Sequence, residues 1–191
     1  MSTNIEIEAK ILVEASDFNK VKNTLGVQQL QPVVQTNYYI DTPQGNLRQF
    51  GFALRIRAIP PEFTLTLKSP MAEGTLEKNQ GITEEDYVNL KDHLQFPKGE
   101  INDFLLMFGF ETTTLGIISQ LTTERIDTTF EGQHVCLDIN HYNGHIDYEI
   151  ESEQSSLKYA AETLRKLCDT VGIPYNENKQ SKYARALDTI Q

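Results

Sequence analysis

The chain has 191 residues, 39% of them hydrophobic and 23% charged, a globular composition with length for one core-forming domain over 1–191. A formal net charge of −10 argues against a nucleic-acid partner, because phosphate backbones need surplus surface cations. Any basic patch is therefore expected inside a cleft, where any polyphosphate ligand would be small and accompanied by metal ions.

In chain order, Glu6-Ile7-Glu8-Ala9-Lys10, flanked by Ile5 and Ile11, comes first. It alternates with the period of a strand, so Glu6, Glu8 and Lys10 share one face and the apolar residues take the other. The N-terminus, acidic and alternating, is unlike a signal peptide, and no apolar run approaches the length of a membrane span. Cys136 and Cys168 show neither metal nor redox spacing. The expectation is a cytoplasmic protein with reduced thiols and no membrane partner, monomeric or homodimeric.

Eight strands are predicted, at roughly 4–13, 36–40, 52–59, 63–68, 73–78, 121–129, 134–142 and 145–152, with short links that favour antiparallel pairing. Helices are predicted from a Ser16 cap to Leu25, from a Thr83 cap to about Gln95, and over 100–108. A fourth, behind Ser155-Ser156, carries the stripe Leu157, Ala160, Ala161, Leu164, Leu167, Cys168 and Val171 and stops at Gly172; a last one covers roughly 180–190.

Asn143-Gly144 suits a two-residue type I′ turn, in which both central residues need positive φ. That turn sets Tyr142 opposite His145, Asn140 opposite Asp147, Asp138 opposite Glu149 and Cys136 opposite Glu151. Opposed like charges destabilise a strand pair, so the carboxylates of Asp138, Glu149 and Glu151 demand something positive beside them. The spacing points to a metal site, unless the face is simply solvated. Other strands repeat the pattern. Arg55 and Arg57 share a face behind Leu54 and Ile56, Lys68 is on the polar side of its strand, and Thr123, Arg125 and Asp127 align. With helices packed on the apolar faces, such strands curled into a barrel would line its interior with charge. The predicted class is α+β, an eight-stranded antiparallel β-barrel or tunnel with helices outside.

These residues resemble the CYTH superfamily, the triphosphate tunnel metalloenzymes, over nearly the whole chain. The likeness rests on Glu6-x-Glu8-x-Lys10, Tyr39-Ile40-Asp41-Thr42, Leu54-Arg55-Ile56-Arg57, Leu67-Lys68, Arg125, Asp138, Asp147-Tyr148-Glu149-Ile150-Glu151 and Lys182 in Ser181-Lys182-Tyr183-Ala184-Arg185. Its texture is closest to CYTH proteins of Gram-positive bacteria. The resemblance implies a tunnel holding a linear triphosphate between basic and acidic walls. Glu6, Glu8, Asp138, Glu149 and Glu151 would hold divalent cations. Lys10, Arg55, Arg57, Lys68, Arg125 and Lys182 would grip phosphate oxygens. Glu6, Glu8, Lys10, Glu149 and Glu151 would form the catalytic set, and Glu77 matches loosely. Two departures stand out: Thr123 replaces a basic residue common in relatives, so one phosphate contact is either missing or supplied from elsewhere, by Lys78 or Arg185, and the lack of tryptophan weakens the case for thiamine stacking.

The cofactor expected is Mg²⁺ or Mn²⁺, which prefer carboxylate and water oxygens. One ion on Glu6, Glu8 and Glu151 would orient the triphosphate, and a second near Asp138 and Glu149 would activate the attacking water. Phosphoryl transfer of this kind needs no nucleophilic side chain. The first expectation is a triphosphatase acting on inorganic triphosphate or another small triphosphate; the alternatives are a class IV-type adenylate cyclase and a non-catalytic polyphosphate or nucleotide sensor. His141 and His145 flank a turn and read as polar loop residues, Ser155-Ser156 as a helix cap, and Tyr38 and Tyr39 as tunnel wall or base contact. No P-loop or dinucleotide fingerprint is present.

Overall fold

The computed structural model describes residues 2–190, which form two compact units: the segment ending at Ile5 with Thr36–Leu121, and Glu6–Gln35 with Thr122 onward. The strands are β1 Ser2–Glu6, β2 Glu8–Val13, β3 Val33–Asp41, β4 Ala53–Ile59, β5 Glu62–Pro70, β6 Thr75–Ile82, β7 Gly116–Phe130, β8 Gln133–Tyr142 and β9 His145–Glu153. Hydrogen bonding orders them β1-β6-β5-β4-β3-β7-β8-β9-β2. The architecture is α+β with an antiparallel sheet, as predicted, but there are nine strands rather than eight. The run read as one strand over 4–13 breaks at Ile7, and its halves stand at the two ends of the order. Because only Ile7 separates them along the chain, the order ends where it begins, which is the connectivity of a barrel-like sheet.

In the first unit, β4 pairs with β3 and β5, and β5 with β6, all antiparallel. Period-two alternation sends Leu54, Ile56, Leu65 and Leu67 into a core completed by Leu90, Ile101 and Leu105 of the helices α3 (Glu84–His93) and α4 (Glu100–Met107). Thr83 caps α3 in a capping box: its Oγ1 accepts from the Asp86 amide at 3.0 Å, and Asp86 Oδ2 accepts from the Thr83 amide at 2.9 Å. A short helix, α2 (Asn46–Gln49), has no counterpart in the sequence reading. Buried Asp41 builds it, accepting backbone N–H bonds from Thr42 and Leu47 at 2.8 Å and from Arg48 at 3.1 Å.

In the second unit, β7 pairs with β8, β8 with β9, and β9 with β2. Helices α1 (Ala15–Thr24) and α5 (Leu157–Val171) lay Phe18, Val21, Leu164, Leu167 and Cys168 onto Ile11, Ile126, Leu137 and Ile150. Cutting any of these large fully buried aliphatic side chains to Ala would cost about 2–5 kcal/mol. The N-cap of α1 is Glu14 rather than Ser16, without a side-chain bond, whereas Ser156 caps α5 as expected and Gly172 ends it at φ +73°. Asn143 (φ +46°) and Gly144 (φ +77°) form the turn between β8 and β9, and the register is the predicted one in all four pairs. Among the described residues no helix is long and apolar enough to cross a membrane.

Candidate functional site

The β8–β9 register places Asp138 directly across from Glu149, with Glu151 next along the same face. The three donor atoms lie within 4.8 Å of one another. The Asp138 and Glu149 side chains are 0% exposed and that of Glu151 is 7%. Such a cluster requires cations, and the chain supplies them. Lys182 Nζ sits 2.9 Å from Asp138 Oδ2 and 2.5 Å from Glu151 Oε1, and it also bonds Glu149. Arg125 grips Asp138 with Nε at 2.8 Å and Nη2 at 2.6 Å, and reaches Glu151 at 2.5 Å. Arg185 meets Glu149 at 2.6 Å and Asp147 at 2.8 Å.

Local structure explains this delivery. Ser181 caps α6 (Lys182–Asp188), accepting from the Ala184 amide at 3.1 Å, so Lys182 opens the helix. Arg185 follows three residues later on the same face. The preceding segment is pinned to β2 by Asn178 N donating to Lys10 O at 2.8 Å. Lys10, paired in register with Glu151, turns its Nζ to Glu8 at 2.5 Å. Glu6, half-buried at the end of β1, stands outside the carboxylate trio.

Burial and the neighbouring cations pull the carboxylates in opposite directions. At Glu149 burial wins and pushes the carboxyl up to about 7, reinforced by Glu151 and opposed by Lys182 and Arg185. Burial also works against ionised Glu151, yet Lys182 and Arg125 hold it well below the usual carboxylate range. The Lys182 ammonium, despite burial, is held well above its ordinary value by Glu151, Glu149 and Asp138, and Lys10 is raised by Glu8, Glu151 and Glu149.

Thr123 is buried and donates to Asn140 Oδ1 at 2.7 Å, while Asn140 donates to Asp147 at 2.8 Å. Arg185 thus brings a positive charge to this part of the face through Asp147, the residue opposite Asn140. Lys78 Nζ lies over the Phe104 ring, 5.4 Å from the centroid.

The first unit carries a second charged face. Lys68 is opposite Glu77, with Nζ 2.8 Å from Oε1, and Arg55 Nη2 stands 3.6 Å from the same oxygen. Against the pull of burial, Lys68 and Arg55 lower Glu77 to about 2. Among the described residues, the buried Nε of Arg55 has no acceptor, a vacant donor suited to an oxyanion. Arg57 donates to Asn37 Oδ1 at 3.1 Å. Tyr38 packs against Tyr87, with ring centroids 4.9 Å apart, and Tyr39 is buried. His141, near the end of β8, meets Glu124 at 2.9 Å and His145 opens β9, so both are strand residues rather than the loop residues expected; Ser156 is a cap, as the sequence suggested.

The trio fits a hard divalent cation on its donor chemistry: three converging carboxylates, already bridged by an ammonium. Sequence reasoning assigned no place to Asp147, Asn140 and Asn178 in this network. The signal for Asp147 was its register opposite Asn140; nothing local marked Asn178.

Comparison with known proteins gives the family. The CYTH domain pattern matches residues 4–186. YjbK of Bacillus subtilis, whose name proposes a triphosphatase, is 31% identical over 94% of this chain and 93% of its own. A Bacillus halodurans structure, described as a proposed adenylate cyclase, is 33% identical and superposes with a TM-score of 0.88 over 97% of this chain and 98% of that one. HpAC1 of Hippeastrum, described by a dominant triphosphatase activity, is 24% identical, with a TM-score of 0.79 over 96% and 95% of the two chains, and at that identity shares the fold. The chain belongs to the CYTH family.

Proposed function

We propose that this protein is a divalent-metal-dependent triphosphatase, hydrolysing inorganic triphosphate or another small triphosphate with release of orthophosphate. The observation that carries the reading is the buried trio of Asp138, Glu149 and Glu151, bridged by Lys182. A membership shared with a relative named as a triphosphatase supports it.

Asp138, Glu149 and Glu151 would hold Mg²⁺ or Mn²⁺, with Glu6 and Glu8 as further carboxylates of that centre. The bound cation would neutralise phosphate oxygens and make a coordinated water a nucleophile near neutral pH. Lys182 leaves the carboxylates for a phosphate oxygen as the substrate enters, and Arg125 keeps the emptied side of Asp138 and Glu151 aligned. Lys10, released from Glu8, adds a second ammonium. Arg55, Arg57 and Lys68 would bind phosphate oxygens, the vacant Arg55 Nε–H donating to one directly, and so stabilise charge on the leaving pyrophosphate. Because the work is positioning and charge neutralisation, the side chains form no covalent intermediate.

The test is incubation of purified protein with triphosphate, ATP and thiamine triphosphate, each with Mg²⁺ or Mn²⁺. Orthophosphate release, abolished in Glu8→Gln without loss of fold, is the expected result. Cyclic AMP with pyrophosphate would make the protein a cyclase, as the name of the Bacillus halodurans relative suggests for that protein. Tight binding without turnover would make it a sensor.

A further inference from the structure

Beyond the carboxylate trio, a chemically different group of side chains converges in the second unit. Asp127 and Cys136 face each other across β7 and β8, and His134 precedes Cys136 by two residues on the same side of β8. Their donor atoms form a small triangle. His134 Nε2 is 3.2 Å from Asp127 Oδ1, Cys136 Sγ is 3.2 Å from the same oxygen, and the sulfur is 3.8 Å from Nε2. Around a tetrahedral zinc ion with ordinary bond lengths, nitrogen, sulfur and oxygen donors are separated by about 3.4–3.6 Å. The observed spacing lies within a few tenths of an ångström of that arrangement.

We propose that Asp127, His134 and Cys136 form a second metal site, selective for a borderline cation such as Zn²⁺. Donor type separates it from the trio. A thiolate, an imidazole and one carboxylate select zinc-like ions, whereas three carboxylates suit Mg²⁺ or Mn²⁺. Accessibility is also right. Asp127 and His134 side chains are 53% and 46% exposed while Cys136 is buried, so an ion reaches the site from solvent and water completes the fourth position. Ser152 steadies the strand carrying the ligands by donating from Oγ to the His134 carbonyl at 3.0 Å. On binding, the Cys136 thiol gives its proton to solvent and the sulfur becomes the anionic ligand. The inference does not depend on the triphosphatase reading, because no turnover enters it.

Co²⁺ is the spectroscopic probe. The reduced, chelator-treated full chain is titrated with Co²⁺ and then with Zn²⁺. The expected result is one equivalent of cobalt giving the visible bands of a four-coordinate ion and a thiolate-to-cobalt charge-transfer band, both erased by Zn²⁺ and untouched by excess Mg²⁺. Cys136→Ser removes the charge-transfer band, and Cys168→Ala keeps it. Because His134 is exposed, His134→Asn leaves the fold intact by circular dichroism while weakening cobalt binding by about tenfold or more. A wild-type spectrum without the charge-transfer band, a band that survives Cys136→Ser, or unchanged affinity in His134→Asn would overturn the proposal.

Discussion

Replacing Lys182 by Met tests the carboxylate trio most sharply. The side chain keeps its length and loses the ammonium that bridges Asp138, Glu149 and Glu151. Breaking a buried ion pair by removing one partner costs about 3–5 kcal/mol, since the other charge stays behind uncompensated. Arg125 and Arg185 remain on the same carboxylates, which places the cost near the low end, about 3 kcal/mol. For a chain of this size that lowers the thermal midpoint by roughly 6–12 °C in chelator. Mn²⁺ should then restore the variant, by about 2.7 kcal/mol at a hundred times its dissociation constant. The wild type should gain less, because there the ion must displace an ammonium. Melting curves by circular dichroism, with chelator and with Mn²⁺, give all four midpoints. An unshifted midpoint in chelator, or a smaller Mn²⁺ gain in the variant than in the wild type, would refute the reasoning.

Glu77 has a carboxyl held at about 2 against an ordinary 4.5, so its contribution of about 3 kcal/mol is complete above pH 4.5 and lost as pH falls toward 2. Glu77→Gln should therefore flatten the fall in urea midpoint between about pH 5 and about pH 3, and an unaltered slope would contradict the ion triad. Arg55→Gln should lower kcat/KM for triphosphate by about ten- to a hundredfold through loss of charge-assisted bonds. Lys78→Met, over Phe104, should leave it unchanged; the reverse ranking would exchange their roles. Gly144→Ala should cost about 1–2 kcal/mol in urea unfolding through backbone conformation alone, as φ is +77° and a Cβ would meet nothing within 4 Å.

The parts of the fold legible in the sequence are those governed by local rules. Asn143-Gly144 set the β8–β9 register and with it the Asp138–Glu149 opposition, because a two-residue turn leaves no freedom in pairing. The capping box at Thr83 and the Gly172 stop were readable for the same reason. The break at Ile7 was not, since alternation continues unchanged through it and only the separate partners of β1 and β2 create it. Helix α2 was hidden because Asp41 stabilises it from outside the helix. In the candidate site, the need for a countercharge followed from opposed carboxylates, but not its source. Arg125 arrives through the β7–β8 register, whereas Lys182 and Arg185 depend on how α6 docks. Likewise Asp127, separated in sequence from His134 and Cys136, joins them only through strand pairing.

The most direct measurement is an anomalous difference map from crystals soaked with Mn²⁺ and a non-hydrolysable triphosphate. The expected map has a peak bonded to Asp138, Glu149 and Glu151, with Lys182 moved onto a phosphate oxygen. Manganese bound elsewhere, with Lys182 still bridging the three carboxylates, would contradict the account.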